Sequence, residues 1–147
     1  PLDMKGINEW FKIHEDAILV TDKVNDPTKF ADVFIDPSRL MMELFSMKAV
    51  KDGIKANIRS AMPSQNLVQN MDEKGIESLA QAGVKNVVFS RRFIAENRSL
   101  LAIFKVNTIQ PYVYHINFEE GIDEDYVVKY EMDYIYGIYA DEWSFSF

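Results

Sequence analysis

The chain has 147 residues, of which 27% are charged, 48% hydrophobic and 13% aromatic, and its formal net charge is −7. That composition excludes a disordered chain and fits one globular domain, large enough to bury about 69% of its unfolded surface. Cysteine is absent, which excludes disulfide frameworks, thiolate catalysis and cysteine-ligated metals.

In chain order, Met4–Ile13 reads as a short amphipathic helix, with Ile7, Trp10 and Phe11 on one face. Residues 17–21 read as a short buried strand. Asn25, Asp26 and Pro27 mark a turn, and residues 30–35 read as a second short strand. Asp36 and Pro37 form a helix start, one capping the free amides and the other fitting the first helical position. Leu40, Leu44, Met47, Val50, Ile54, Ile58 and Ala61 then mark a helical face running to about Met62, where Pro63 stops it; Gly53 either weakens this helix or divides it in two. Asp72 caps a further helix through Ala82, and Gly83 is placed as its left-handed terminator.

Residues 84–90 read as a strand, and residues 99–106, apolar on both sides, as a central one. Residues 110–118 and 126–138 alternate strictly, so both read as half-buried strands. Trp143, Phe145 and Phe147 alternate in the same way. The links between these segments are short, so an antiparallel sheet is expected. The expected fold is a single α+β domain over residues 1–147, helix-rich over 1–83 and strand-rich over 84–147. Its N-terminal helices would pack on one face of a mostly antiparallel four- to six-stranded sheet.

Charge is uneven. Residues 1–110 carry a net +1, whereas residues 111–147 carry one basic residue, Lys129, and nine acidic ones. All seven tyrosines also lie beyond position 110. An acidic, tyrosine-rich segment repels a nucleic acid backbone and suits a basic protein partner. Glu119, Glu120, Asp123, Glu124 and Asp125 put five carboxylates into seven residues, read as a solvated hairpin tip and a steering surface. The ordered spacing of a calcium loop is missing from them. Arg91, Arg92 and Arg98, with Lys85 upstream, form the most basic surface. The basic turn of one copy could therefore meet the acidic hairpin of another.

Other chemistry is sparse. His14, followed by Glu15 and Asp16, reads as a helix-end histidine, and His115 as a residue on the polar side of a strand. Asp22, Asp26, Asp32 and Asp36 recur around two turns, where caps want Asp anyway; clustered, they could serve a metal-dependent hydrolase. No glycine-rich phosphate loop and no nucleophile elbow is present. No catalytic, cofactor or metal residues are therefore assigned, and a non-enzyme is expected.

The helix, helix, strand, strand order over residues 40–106 resembles small baseplate and connector proteins of phage tails. That resemblance implies a virion component. The resulting expectation is an assembly or adaptor protein that acts by protein contacts, as a homo-oligomer or as part of a larger assembly. The alternatives are an acidic inhibitor mimicking nucleic acid and the carboxylate hydrolase. No apolar run is long enough to span a bilayer, and the first residues lead into no secretory signal. A cytoplasmic or virion location, neither secreted nor in a membrane, is the corresponding expectation.

Overall fold

Residues 3–140 are described by a computed structural model. Among the described residues lie six short strands, β1 (Leu19–Thr21), β2 (Leu40–Leu44), β3 (Ser60–Pro63), β4 (Asn86–Ser90), β5 (Gln110–Tyr114) and β6 (Gly137–Ile138). They make two three-stranded sheets, ordered β1-β2-β3 and β4-β5-β6, and every pair is parallel. Ser60 Oγ donates to Asn86 Oδ1 at 2.8 Å, which links β3 to β4 and sets the two sheets side by side. The strands thus run in sequence order along one wall. Its outer edges are β1 and β6, which have no further strand beside them among the described residues.

This corrects the antiparallel sheet expected from the sequence. A parallel neighbour cannot be reached by a hairpin; it needs a crossover, usually a helix. The crossovers are α2 (Pro27–Val33), α3 (Met47–Lys55), α4 (Gln65–Val68) with α5 (Glu73–Ala82), α6 (Arg91–Glu96) with α7 (Arg98–Val106), and α8 (Glu124–Tyr130). Ahead of β1 lies α1 (Met4–Ile13), bounded as its amphipathic pattern requires and capped by Asp3. Asn8 holds it against α2, donating to the Val33 carbonyl and accepting from the Ile35 amide, both at 2.8 Å. Arg39 ties its end to the start of β2 through the carbonyls of Phe11, His14 and Ala17.

Five elements differ from the sequence reading, each for a physical reason. The strand expected over residues 110–118 ends at Tyr114, because His115 turns left-handed and a 3-10 turn (Ile116–Phe118) follows. The long helix expected over residues 37–62 is a single 3-10 turn (Pro37–Arg39), then β2, α3 and β3. Ser46 caps α3, accepting from the Ala49 amide at 3.1 Å. α3 runs through Gly53, and glycine lets it lie close on β3: a Cβ there would stand 2.9 Å from that of Ala61. Residues 30–35 belong largely to α2, capped by Asp26. Residues 99–106 lie in α7, which buries Leu101 and Phe104 one turn apart and leaves Val106 in solvent. Residues 126–138 split into α8 and β6, because Asp123 caps a helix at Tyr126. The strand drawn from Trp143, Phe145 and Phe147 lies outside the described residues.

The strands divide their side chains between two faces. Leu40, Met42, Leu44, Ala61, Val87, Phe89 and Val113 face the helices and join the main core with Val50, Ile76, Leu79, Ile94, Leu101, Phe104 and Val127. Each such residue contributes about 1.5–3 kcal/mol by leaving water. The alternate positions, Met41, Met62 and Val88, face the other way and form a second, smaller cluster with Tyr112, Tyr114 and Tyr139. A parallel wall with helices on one face and a layer of side chains on the other resembles part of a (β/α) barrel; among the described residues its six strands do not close into a ring. Three crossovers end on a left-handed residue that turns the chain back into a strand: Asn57, Gly83 and Thr108.

Candidate functional site

Parallel strands in sequence order place all their carboxyl ends on one side, and in such folds ligands gather there. Asp22 and Lys23 follow β1, Glu43 lies near the end of β2, Ser90 ends β4, Tyr114 ends β5, and Tyr139 follows β6. Glu43 sits two residues beyond the inward Met41, so it shares the inner face. Side chains fasten these ends to one another. Asn25 Oδ1 accepts from the Phe45 amide at 2.9 Å, joining the turn after β1 to the end of β2. Gln65 Oε1 accepts from the Ser90 amide at 2.9 Å, joining the ends of β3 and β4.

The groups at this end act on one another electrostatically. Burial pushes the Glu43 carboxyl above the usual carboxylate range; the charge of Asp22 pushes it further, and Lys23 opposes. Lys23 Nζ in turn pairs with Asp22 Oδ2 at 2.8 Å. Burial raises the Tyr114 phenol, with Glu43 adding to the effect. The Tyr139 phenol is pushed strongly upward, first by burial and then by Glu43 and Asp22. Its buried Oη has no hydrogen-bond partner among the described residues. Beside it opens a cavity of about 240 Å³ lined by Val20, Asp22 and Tyr139. A carboxyl group that holds its proton to higher pH beside a second carboxylate is a candidate functional feature.

The basic and acidic residues singled out from the sequence make contacts among themselves. Arg91 is buried at the start of α6 and bonds to Glu119 at 3.1 Å and Glu131 at 2.9 Å. Burial works against its charge, but the bonds to Glu131 and Glu119 outweigh it and hold its pKa above the ordinary value. Its guanidinium also lies over the Tyr126 ring at 5.8 Å. The basic and acidic patches thus meet within one chain. Arg92 pairs with Glu96 at 3.3 Å, and Arg98 lies 4.7 Å over Tyr134. The acidic segment is a loop running into a helix, not a hairpin tip. Asp123 caps α8, Glu124 is buried in its first turn, and Glu120 and Asp125 remain exposed. Carboxylates concentrate at a helix start because they complement its dipole.

The four clustered aspartates disperse. Asp26 and Asp36 are caps, Asp32 lies exposed on α2, and Asp22 alone reaches the carboxyl end of the wall. Among the described residues no group of three or more His, Asp or Glu is placed to hold a metal. His14 stacks on Trp10 at 3.8 Å, and His115 is a left-handed residue after β5. No helix among the described residues is long and apolar enough to cross a membrane.

No family model matches the sequence. No curated protein matches it either. A solved structure does. The chain is similar in fold to a glycerophosphodiester phosphodiesterase from Parabacteroides distasonis, with a TM-score of 0.64 at 12% sequence identity. The match covers 94% of this chain and 59% of that one, so the chain spans about three-fifths of the length of its neighbour. The expectation of a non-enzyme, drawn from the lack of a linear motif, is thereby corrected. A parallel wall collects its chemistry from separate strand ends, and in the neighbour the same fold carries a phosphodiesterase. Glu43 was concealed by its place in an apparent helix, and Tyr139 by its place in an aromatic run. The signal for Glu43 was the alternation in Leu40–Leu44, where Met41 and Glu43 share one face and three apolar residues the other.

Proposed function

We propose that the chain belongs to a hydrolase working at the carboxyl ends of its strands on a phosphodiester of a small polyol. Glu43 serves as proton donor to the leaving oxygen, Asp22 as its acceptor partner, and Lys23 as the countercharge for the phosphoryl group. One observation carries the reading: a half-buried carboxyl with a raised pKa stands beside a second carboxylate at the end where this fold places catalysis. The likeness to a phosphodiesterase supplies the substrate class.

The test is release of glycerol phosphate from glycerophosphodiesters, with amide shifts followed by NMR. Binding should shift Asp22, Lys23, Glu43 and Tyr139, and Glu43→Gln should lower turnover about 100-fold while the fold is kept. Equal turnover in Glu43→Gln, or shifts confined to other residues, would overturn the assignment.

A second reading, contact with a protein partner or a second copy, is supported by Trp10 and Ile13. Both are exposed on α1, Ile13 at 79%. Light scattering against concentration tests it: Ile13→Glu should lower the apparent mass if that face carries the contact, and an unchanged monomer removes it.

A further inference from the structure

At the opposite end of the same strands lies a larger cavity, of about 700 Å³. Its walls include Ser38, Arg59, Lys85, Gln110 and Tyr136, each placed before or at the start of a strand, and Tyr112 in the middle of β5. In a parallel barrel this end ordinarily serves stability, so an open polar cavity here is unexpected. Neither Asp nor Glu lines it. Of the five arginines, Arg59 is the one whose side chain makes no hydrogen bond, ion pair or ring contact among the described residues, and Lys85 lacks a carboxylate partner too.

The two cations are set by the fold. Arg59 immediately precedes Ser60 on β3, and Lys85 immediately precedes Asn86 on β4; the Ser60–Asn86 hydrogen bond makes those strand positions neighbours. Asn86 Nδ2 donates to the Gln110 carbonyl at 3.3 Å, which extends the fixed floor to β5. On the far side Tyr112 and Tyr136 meet edge to face with ring centres 5.7 Å apart. Burial and Tyr136 raise the Tyr112 phenol, while Arg59 pulls it down, so the guanidinium lies within electrostatic reach of that aromatic wall.

We propose that this amino-end cavity is a second binding site, separate from the carboxyl end, for a small organic phosphate such as a sugar monophosphate. Two cations without a carboxylate suit a dianion, and the Arg59 fork binds phosphate oxygens in pairs. The tyrosine pair gives the organic part an apolar face with hydroxyl handles. The volume is that of a small-molecule pocket.

The experiment uses glucose 6-phosphate and inorganic phosphate as probes, with affinity from calorimetry and location from NMR amide shifts. Glucose 6-phosphate should shift Ser60, Lys85, Gln110 and Tyr112 and bind more tightly than inorganic phosphate. Arg59→Gln and Lys85→Gln should each weaken it at least tenfold. Both side chains are exposed, so unchanged melting of these variants certifies their fold. Glu43→Gln should leave this binding unchanged, which separates its failure from failure of the proposed hydrolase. No binding at millimolar probe, shifts centred on Lys23 and Glu43, or full affinity in both charge variants would each overturn the site. Equal affinity for the two probes would overturn the role of the tyrosine wall and with it the organic ligand.

Discussion

The two ends of the strand wall use the same architecture to opposite electrostatic effect. At the carboxyl end, Asp22 and Glu43 crowd together with Tyr114 and Tyr139, and the local field holds protons on Glu43 and the phenols while Lys23 supplies positive charge. At the amino end, Arg59 and Lys85 stand over a neutral floor of Ser60, Asn86 and Gln110, and the field favours anions. The contrast teaches that net charge is a poor guide to this molecule. The −7 of the whole chain is dominated by carboxylates used as caps, in the Arg91 pairs and on the α8 face. The charges that define the two ends number only a handful, and it is their placement along parallel strands that separates them.

Four substitutions sharpen or break the comparison. The largest effect is expected at the clamp that holds the loop after β5 on the carboxyl side of the wall. Arg91→Ala would leave Glu131 buried at 3% exposure with no counterion, and a loss of about 3–5 kcal/mol is expected in denaturant unfolding. Replacing Arg91 and Glu131 together by Met should recover much of that loss. If the single variant melts like the parent, the clamp does not organise the carboxyl end.

Next is the floor of the amino end. Asn86→Ala strands the Ser60 hydroxyl between the sheets, and a cost of about 1–3 kcal/mol is expected. The same variant should disturb amino-end amides by NMR and leave those of Asp22 and Glu43 in place. Disturbance of both ends would mean that they are not independent.

Asp72→Ala removes the cap of α5, whose side chain accepts from the Gly75 amide at 2.8 Å, and about 1 kcal/mol should be lost in thermal unfolding. Neither end should change its ligand response, which makes this variant the control for the other three.

The smallest effect on stability is at Glu43. Its pKa is raised on folding, so the folded state binds the proton more tightly than the unfolded chain does. The stability it contributes is present below the ordinary glutamate pKa of about 4.3 and is lost as pH rises through the folded value. Glu43→Gln should therefore flatten the fall in melting temperature from acidic to neutral pH. A slope unchanged by the substitution would show that burial and Asp22 do not raise this carboxyl's pKa on folding.

Much of the local structure was legible in the sequence because it depends on near neighbours. Asp3, Asp36 and Asp72 cap, Gly83 turns left-handed at φ 105°, and α1 and α5 have the bounds that their patterns require. Strand direction was not legible. Apolar runs such as residues 40–44 and 99–106 are buried by tertiary packing, and such a run reads alike as a strand covered on both faces or as a helix. Tyr126–Ile138 alternates in hydrophobicity, yet the Asp123 cap and the packing of Val127 impose a helix on its first half. The carboxyl-end site was hidden for the same reason. Its members are separated by about 20 to 70 residues in sequence and meet only once the direction of every strand is known. The Arg91–Glu131 pair, 40 residues apart, was invisible on the same ground.

The sequential order of the strands has a consequence for how the molecule comes apart. Among the described residues each strand forms a ladder only with its sequence neighbours in its own sheet, and β3 meets β4 through the Ser60–Asn86 side-chain bond rather than a ladder. An end strand can then peel away without severing the other ladders. Amide protection should be graded along the wall, lowest at Leu19–Thr21 and Gly137–Ile138, where pairing is one-sided and short, and highest across β4 and β5, whose ladder joins five residue pairs. Breathing at the two outer edges would open both cavities from the side, because Val20 and Asp22 border one and Ile18 and Tyr136 the other. Ligand exchange and partial unfolding would then be the same motion, seen on different timescales.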